Sequence, residues 1–187
     1  MPTDARIKKR LTNKALHYLG RYASTTARLR QTLQKFAKRK LETAEPEEIE
    51  DAIEAVIADC QKFGYIDDQN FIDNRIRAGR NAGQSERRIT QKLLQAGIGR
   101  DMAQASLKTH RNGYAQAEWL AALVHIRKKR LGCYGSEREL SPEAYQKQMA
   151  KLARAGFGLD IIKQILSIDN AEEAENLEAE YRHDMPL

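Results

Sequence analysis

AGIGRDMAQASL, residues 96–107, returns 59 residues later as AGFGLDIIKQIL, residues 155–166. Ala96, Gly97, Gly99, Asp101 and Leu107 recur as Ala155, Gly156, Gly158, Asp160 and Leu166. Leu93 and Leu152 stand four residues before the first glycine of each copy. The pattern has a direct physical reading. Gly97 and Gly156 end a helix, because glycine enters the left-handed region without a Cβ penalty. Ile98 and Phe157 then turn an apolar side chain under the joint. Gly99 and Gly158 take the next cap position, and Asp101 and Asp160 put negative charge into the new first turn. Each copy predicts helix, tight turn, short helix.

Working outward, each copy has a further helix in front of it. In the middle of the chain that helix starts at Asp67 or Asp68, which cap it, and carries Phe71, Ile72, Ile76 and Gly79. Ser85 caps the next, with Ile89 and Leu93. Near the end, Trp119, Leu120, Leu123 and Ile126 mark the leading helix, and Ser141-Pro142 opens the one after it. The amino-terminal third fits more loosely. Ile7, Leu11, Ala15, Tyr18 and Tyr22 form one stripe. Ser24 or a following Thr caps a helix with Leu29, Leu33, Phe36 and Ala37, and Pro46 starts a third with Ile49, Ile53, Val56, Cys60 and Phe63. The expected fold is all-α, built as three tandem three-helix repeats: residues 1–66, 67–112 and 113–170. Modules this small bury little alone, so neighbours should pack side by side. The acidic segment 171–187 is expected to fray. FGYIDDQNF, residues 63–71, joins the first repeat to the second, and its Phe, Tyr and Ile are expected to wedge there.

Composition agrees with an all-helical chain. Of 187 residues, 41% are hydrophobic, only 6% aromatic, and four are proline. The formal net charge is +6, which suits a polyanionic partner. Charge falls in blocks. Residues 1–40 hold 12 basic against one acidic side chain, 41–73 hold 11 acidic against one basic, and 74–113 hold nine basic against two acidic. Equivalent regions of successive repeats are basic: Arg21, Arg28 and Arg30, then Arg75, Arg77, Arg80, Arg87 and Arg88, then Arg127, Lys128, Lys129 and Arg130 of HIRKKR. Stacked repeats would align them into a band that follows a phosphate backbone without reading bases, or grips an acidic protein groove. Tyr18, Tyr22, Tyr65, Trp119 and Phe157 have the chemistry to stack on bases, but helical spacing favours core positions.

Catalytic chemistry finds little footing. His17, His110, His125 and His183 show no ligand spacing, and Cys60 and Cys133 form no CxxC. AGRNAGQSE, residues 78–86, lacks the lysine of a nucleotide loop. No metal, cofactor or enzymatic activity is expected. MPTDARIKKR is followed by no apolar stretch, and no membrane-spanning run occurs, so a cytoplasmic chain is expected.

RYASTTARL (21–29), FGYIDDQNF (63–71), RRITQKLLQAGIG (87–99) and KLARAGFGLDIIKQIL (151–166) together resemble the RecX family, bacterial regulators of the RecA recombinase. The resemblance covers roughly residues 10–168. It departs at Ala27 and Ala96, where the family commonly carries an acidic and a basic residue. It implies an elongated, curved helical protein that binds in the groove of the RecA–single-stranded DNA filament. There the family blocks strand exchange, ATP hydrolysis and co-protease activity. DNA binding outside the filament, with single strands and also duplexes, is implied too. Nothing asks for more than a monomer. A helix-turn-helix-like DNA-binding regulator is the alternative reading, since three-helix units with a glycine turn look similar.

Overall fold

The computed structural model describes residues 2–112, 116–135 and 141–183. Among these residues there are ten α-helices and no strand. Residues 113–115, 136–140 and 184–187, the last of them the end of the acidic segment, lie outside that set. No described helix is long and apolar enough to cross a membrane. The chain forms two compact units, one of residues 1–72 with 94–99, the other of 73–93 with 100–187. These limits run through two helices, Asp68–Asn81 and Glu86–Gln95.

The first unit holds α1 (Pro2–Leu19), α2 (Thr26–Lys40), α3 (Pro46–Lys62) and the start of α4 (Asp68–Asn81). Ile7, Leu11 and Ala15 of α1, Leu29, Leu33 and Ala37 of α2, and Ile53, Val56, Ile57 and Cys60 of α3 form one buried cluster. Their spacing by threes and fours puts each set on one helix face, and full burial of each large aliphatic side chain contributes about 1.5–3 kcal/mol. Pro46 at the first position of α3 loses no helical hydrogen bond. The expected wedge at residues 63–66 is corrected: Phe63 is 65% and Tyr65 57% exposed, and only Ile66 is buried. In the turn that follows α3 the Phe63 and Tyr65 rings lie beside each other, and Lys62 at the end of α3 stands over the Phe63 ring.

The second unit holds the rest of α4, then α5 (Glu86–Gln95), α6 (Arg100–Asn112), α7 (Ala117–Lys129), α8 (Pro142–Ala155), α9 (Leu159–Leu166) and α10 (Ala171–His183), with residues 94–99 in the first unit. Leu123, Ile126, Leu152, Phe157, Ile162, Ile165 and Ala174 are among its buried cluster. Ser141 caps α8, accepting from the Ala144 N–H at 3.2 Å.

One joint is made twice. Thr25 precedes α2, accepts from the Arg28 N–H at 3.3 Å, and donates its hydroxyl to the Ala96 carbonyl at 2.5 Å. The Thr26 N–H is met by Asp68 Oδ1 at 2.8 Å. In the second unit Ser85 accepts from the Arg88 N–H at 3.2 Å and donates to the Ala155 carbonyl at 2.6 Å. The Glu86 N–H is met by Glu118 Oε2 at 2.8 Å. Thr25 and Ser85 are fully buried. In both cases the accepting carbonyl belongs to the alanine before a left-handed glycine, Gly97 at φ 82° or Gly156 at φ 99°. A Cβ on Gly97 would stand 2.5 Å from Ala27 Cβ, and one on Gly156 2.5 Å from Ser85 Oγ. The repeat AG-x-G is thus the receiving half of a contact whose donating half is a capping hydroxyl. Asp67 caps α4 through the Asn70 N–H at 2.9 Å, but Asp68, expected to serve the same helix, caps α2 instead.

Residues 171–183 form α10 where fraying was expected. Ala174, Leu177 and Tyr181 put an apolar face on the second unit's core, with Tyr181 edge-on to Trp119 at 5.3 Å. Glu178 is buried on the same helix and accepts from Arg127 Nε and Nη2 at 3.0 Å each, and from Arg182 Nε and Nη2 at 3.1 and 2.9 Å. Burial pushes the Glu178 carboxyl up, but the bonds and charges of the two arginines outweigh it and hold it below its ordinary value.

Two predictions follow from these contacts. Thr25→Ala and Ser85→Ala should each lower unfolding stability by about 2 kcal/mol, combining cap loss with a carbonyl left unbonded. Thr25→Ser should cost less than about 1 kcal/mol, because serine makes the twin contact; denaturant midpoints check both. A carboxylate with a lowered folded pKa stabilises above its unfolded value, about 4.3, and loses that effect as pH falls through the folded value. Emission from Trp119, the chain's single tryptophan, should therefore change as α10 loosens in acid, and Glu178→Gln should produce the change at neutral pH.

Candidate nucleic-acid interface

In the first unit, the exposed Arg21 lies in the turn after α1. Arg28 is half-buried on α2, with Nη2 donating to the Gln95 carbonyl at 3.4 Å. Arg30 is taken up by carboxylates: it hydrogen-bonds Glu54 at 2.9 Å and pairs with Glu50 at 3.6 Å. Arg6 and Arg10 border a smaller cleft of about 230 Å³ with Leu41, Thr43 and Ala44. Tyr22 is 59% exposed, so of the candidate stacking aromatics it and Tyr65 face solvent, whereas Phe157 is buried.

In the second unit the candidate cations divide sharply. Arg80 is 4% exposed, with Nη2 donating to Glu86 at 3.2 Å and Nη1 to the His110 carbonyl at 3.4 Å. It ties the end of α4 to α5 and α6, off the solvent face where the sequence pattern places it. Arg127 is bound bidentately by Glu178. Arg75 and Arg77 are exposed on α4, the latter bonded to Asn74 at 3.0 Å. Lys128, Lys129 and Arg130 are exposed at the end of α7, with Lys128 donating to the Asn81 carbonyl at 3.3 Å. Arg130 is a left-handed helix cap at φ 52°. A cationic end suits a helix carboxyl terminus, where the last carbonyls carry partial negative charge.

Arg87 and Arg88 are exposed in the first turn of α5 and share an open cleft of about 460 Å³ with Gln91, Ala153, Arg154, Ala155 and Gly156. Arg154 is absent from the sequence-predicted set. The signal was present, since Arg154 immediately precedes the second AG-x-G copy, at the position that Gln95 holds in the first.

Other reactive groups are occupied or unactivated. Among the described residues no group of three His, Cys, Asp or Glu side chains could hold a metal ion. His110 Nε2 lies 3.0 Å from Asp73, and His125 Nδ1 lies 3.0 Å from the Gly83 carbonyl. Burial lowers the His125 pKa, against the Gly83 bond and with help from Lys129. The side chain of His183 lies outside the described residues. Burial pushes both thiols up, with Asp59 adding to the effect at Cys60, so neither is an activated nucleophile.

No family model matches the chain. The chain is similar to the regulatory protein RecX of Myxococcus xanthus (strain DK1622), 31% identical over 163 residues that cover 86% of each chain. It is 27% identical over 167 residues to the regulatory protein RecX of Agrobacterium fabrum (strain C58), covering 88% of this chain and 85% of that one. The crystal structure of RecX from Lactobacillus salivarius superposes with a TM-score of 0.66 at 21% identity, over 87% of this chain and 96% of that one, which shows a shared helical fold. The glycine joints, the helices they connect and this similarity across most of both sequences establish that the chain belongs to the RecX family of regulatory proteins.

Proposed function

We propose that this chain regulates the RecA recombinase by binding the RecA–single-stranded DNA filament, and that its main effect is inhibitory. Family membership supports the regulatory role. The observation that carries the physical reading is that Arg21, Arg87, Arg88, Lys128, Lys129 and Arg130 are exposed, with both units contributing. Each contact of this kind is weak, but contacts on one chain raise each other's effective concentration, so avidity exceeds any single affinity. Arginine suits both surfaces a nucleoprotein filament offers, phosphate and carboxylate, because its planar fork bonds either bidentately. Tyr22, Phe63 and Tyr65 add exposed rings of the kind that stack on unpaired bases.

In this reading the protein performs no chemistry itself. A chain bridging neighbouring protomers of the filament would hinder the closure that ATP hydrolysis requires and the entry of a second duplex. The proposed contact set is Arg21, Arg28, Arg75, Arg77, Arg87, Arg88, Lys128, Lys129 and Arg130. Arg30, Arg80 and Arg127 are left out because carboxylates of this chain already hold them.

RecA's DNA-dependent ATPase, titrated with substoichiometric amounts of this chain, tests the reading. A progressive fall in turnover is expected, and an unchanged rate would remove the assignment. Replacing Lys128, Lys129 and Arg130 together by Ala should lower inhibitory potency severalfold while the helical circular dichroism stays unchanged. Full potency in that variant would take the end of α7 out of the interface.

A further inference from the structure

The two joints share a backbone plan but not a charge. In the first, Ala27 stands against Gly97, and Gln95 precedes the turn. At the matching positions of the second stand Arg87 and Arg154, while Arg88 matches Arg28. The hydroxyl-to-carbonyl bond forms in both. The joint therefore requires neither Arg87 nor Arg154.

What those arginines build instead is the cleft of about 460 Å³ between the first turn of α5 and the last turn of α8. Gly156 makes room for one wall: a Cβ there would stand 3.2 Å from Arg87 Cβ and 3.5 Å from its Cδ, so the arginine stem crosses the bare turn. Arg154 Nε donates to the Ala150 carbonyl at 3.2 Å, which lays its side chain along α8 and leaves its terminal nitrogens for other acceptors. Among the described residues, Arg87, Arg88 and Arg154 form no ion pair, in contrast to Arg30, Arg80 and Arg127. Three guanidinium groups on one cleft repel each other, and two of them stand where the helix dipole disfavours cations. That arrangement is mildly unfavourable for exposed charges, the joint does not need it, and an anionic ligand would relieve it.

We propose that this cleft binds the phosphate backbone of single-stranded nucleic acid. The proposal deepens the filament-binding reading and rests on it. A run of phosphates presents a charge at every nucleotide and can engage three cations from two helices, whereas one carboxylate offers a single charge. A flexible single-stranded backbone can follow the contour of this open cleft of about 460 Å³. Gln91 adds a neutral donor at the same wall.

The test uses the full chain and fluorescein-labelled oligothymidylate, followed by anisotropy over a range of NaCl concentrations without RecA. Arg87→Ala/Arg88→Ala/Arg154→Ala should weaken binding more than tenfold and reduce the slope of log K against log salt by about 2, near 0.7 per lost contact. The corresponding triple Lys variant should keep the slope, because charge is what the salt dependence counts. Should the Ala triple fail to fold, the single exposed-site variant Arg154→Ala decides, with an expected slope change of about 0.7. Unchanged affinity and slope would overturn the proposal. So would a triple variant that keeps oligonucleotide binding but no longer binds DNA-free RecA, since the cleft would then take a protein surface. The RecA ATPase titration judges the filament reading separately: a wild-type chain without effect on RecA but with an arginine-dependent oligonucleotide slope leaves the cleft in place.

Discussion

A buried hydroxyl that both accepts and donates is the constraint on which the rest of this molecule depends. Helix ends carry backbone groups with no partner inside the helix, donors at the start and acceptors at the finish. Most caps satisfy one end only. Thr25 and Ser85 each serve two: they accept from the helix they begin and donate to a carbonyl at the end of another. A carboxylate from a third helix, Asp68 or Glu118, then takes the neighbouring N–H. Three helix ends are drawn together, and the hydroxyl and carboxylate partner end groups that the helices themselves leave open. The arrangement also explains the glycine that follows each accepting alanine, since the turn is left-handed and must leave room for Ala27 at Gly97 and for the Ser85 hydroxyl at Gly156.

The basic side chains divide between structural work and an open cleft. Arg80 is buried and ties α4 to α5 and α6, while Arg127 and Arg182 enclose Glu178 and fasten α10 to α7. Removing the two arginines would leave the Glu178 carboxylate buried and unpaired, and removing Glu86 would do the same to the Arg80 guanidinium, so these arginines are committed to the fold. Arg87, Arg88 and Arg154 have the opposite character, gathered at one cleft with no carboxylate paired to them among the described residues.

Much of the architecture is legible in the sequence because it rests on local rules. The AG-x-G copies mark helix ends at the correct glycines, Ile98 and Phe157 are buried beside them, and Ser85, Ser141 and Pro46 mark starts that the chain adopts. What is hard to read is nonlocal. Asp68 looks like a cap for its own helix, and only the folded chain shows it reaching α2. The last segment reads as a frayed acidic tail because its charge outweighs the weak stripe of Ala174, Leu177 and Tyr181; Arg127, far away in sequence, pairs with the buried Glu178. Arg80 follows Ile72 and Ile76 at four-residue spacing and so continues their buried face, but its charge reads as a surface residue until the contacts with Glu86 and the His110 carbonyl are seen. Phe63 continues an apolar stripe yet faces solvent, because α3 ends there and the chain turns with Ile66 inward instead.

Amide hydrogen exchange, resolved by residue in the native protein, addresses the central claim most directly. The N–H groups of Thr26, Arg28, Glu86 and Arg88 lie in the first turns of their helices, where amides without an intrahelical partner ordinarily exchange fast. The account predicts that these four exchange as slowly as interior amides of α2 and α5. Exchange at the rate of frayed helix ends would show that the capping hydroxyls and carboxylates do not hold the joints, and would contradict it.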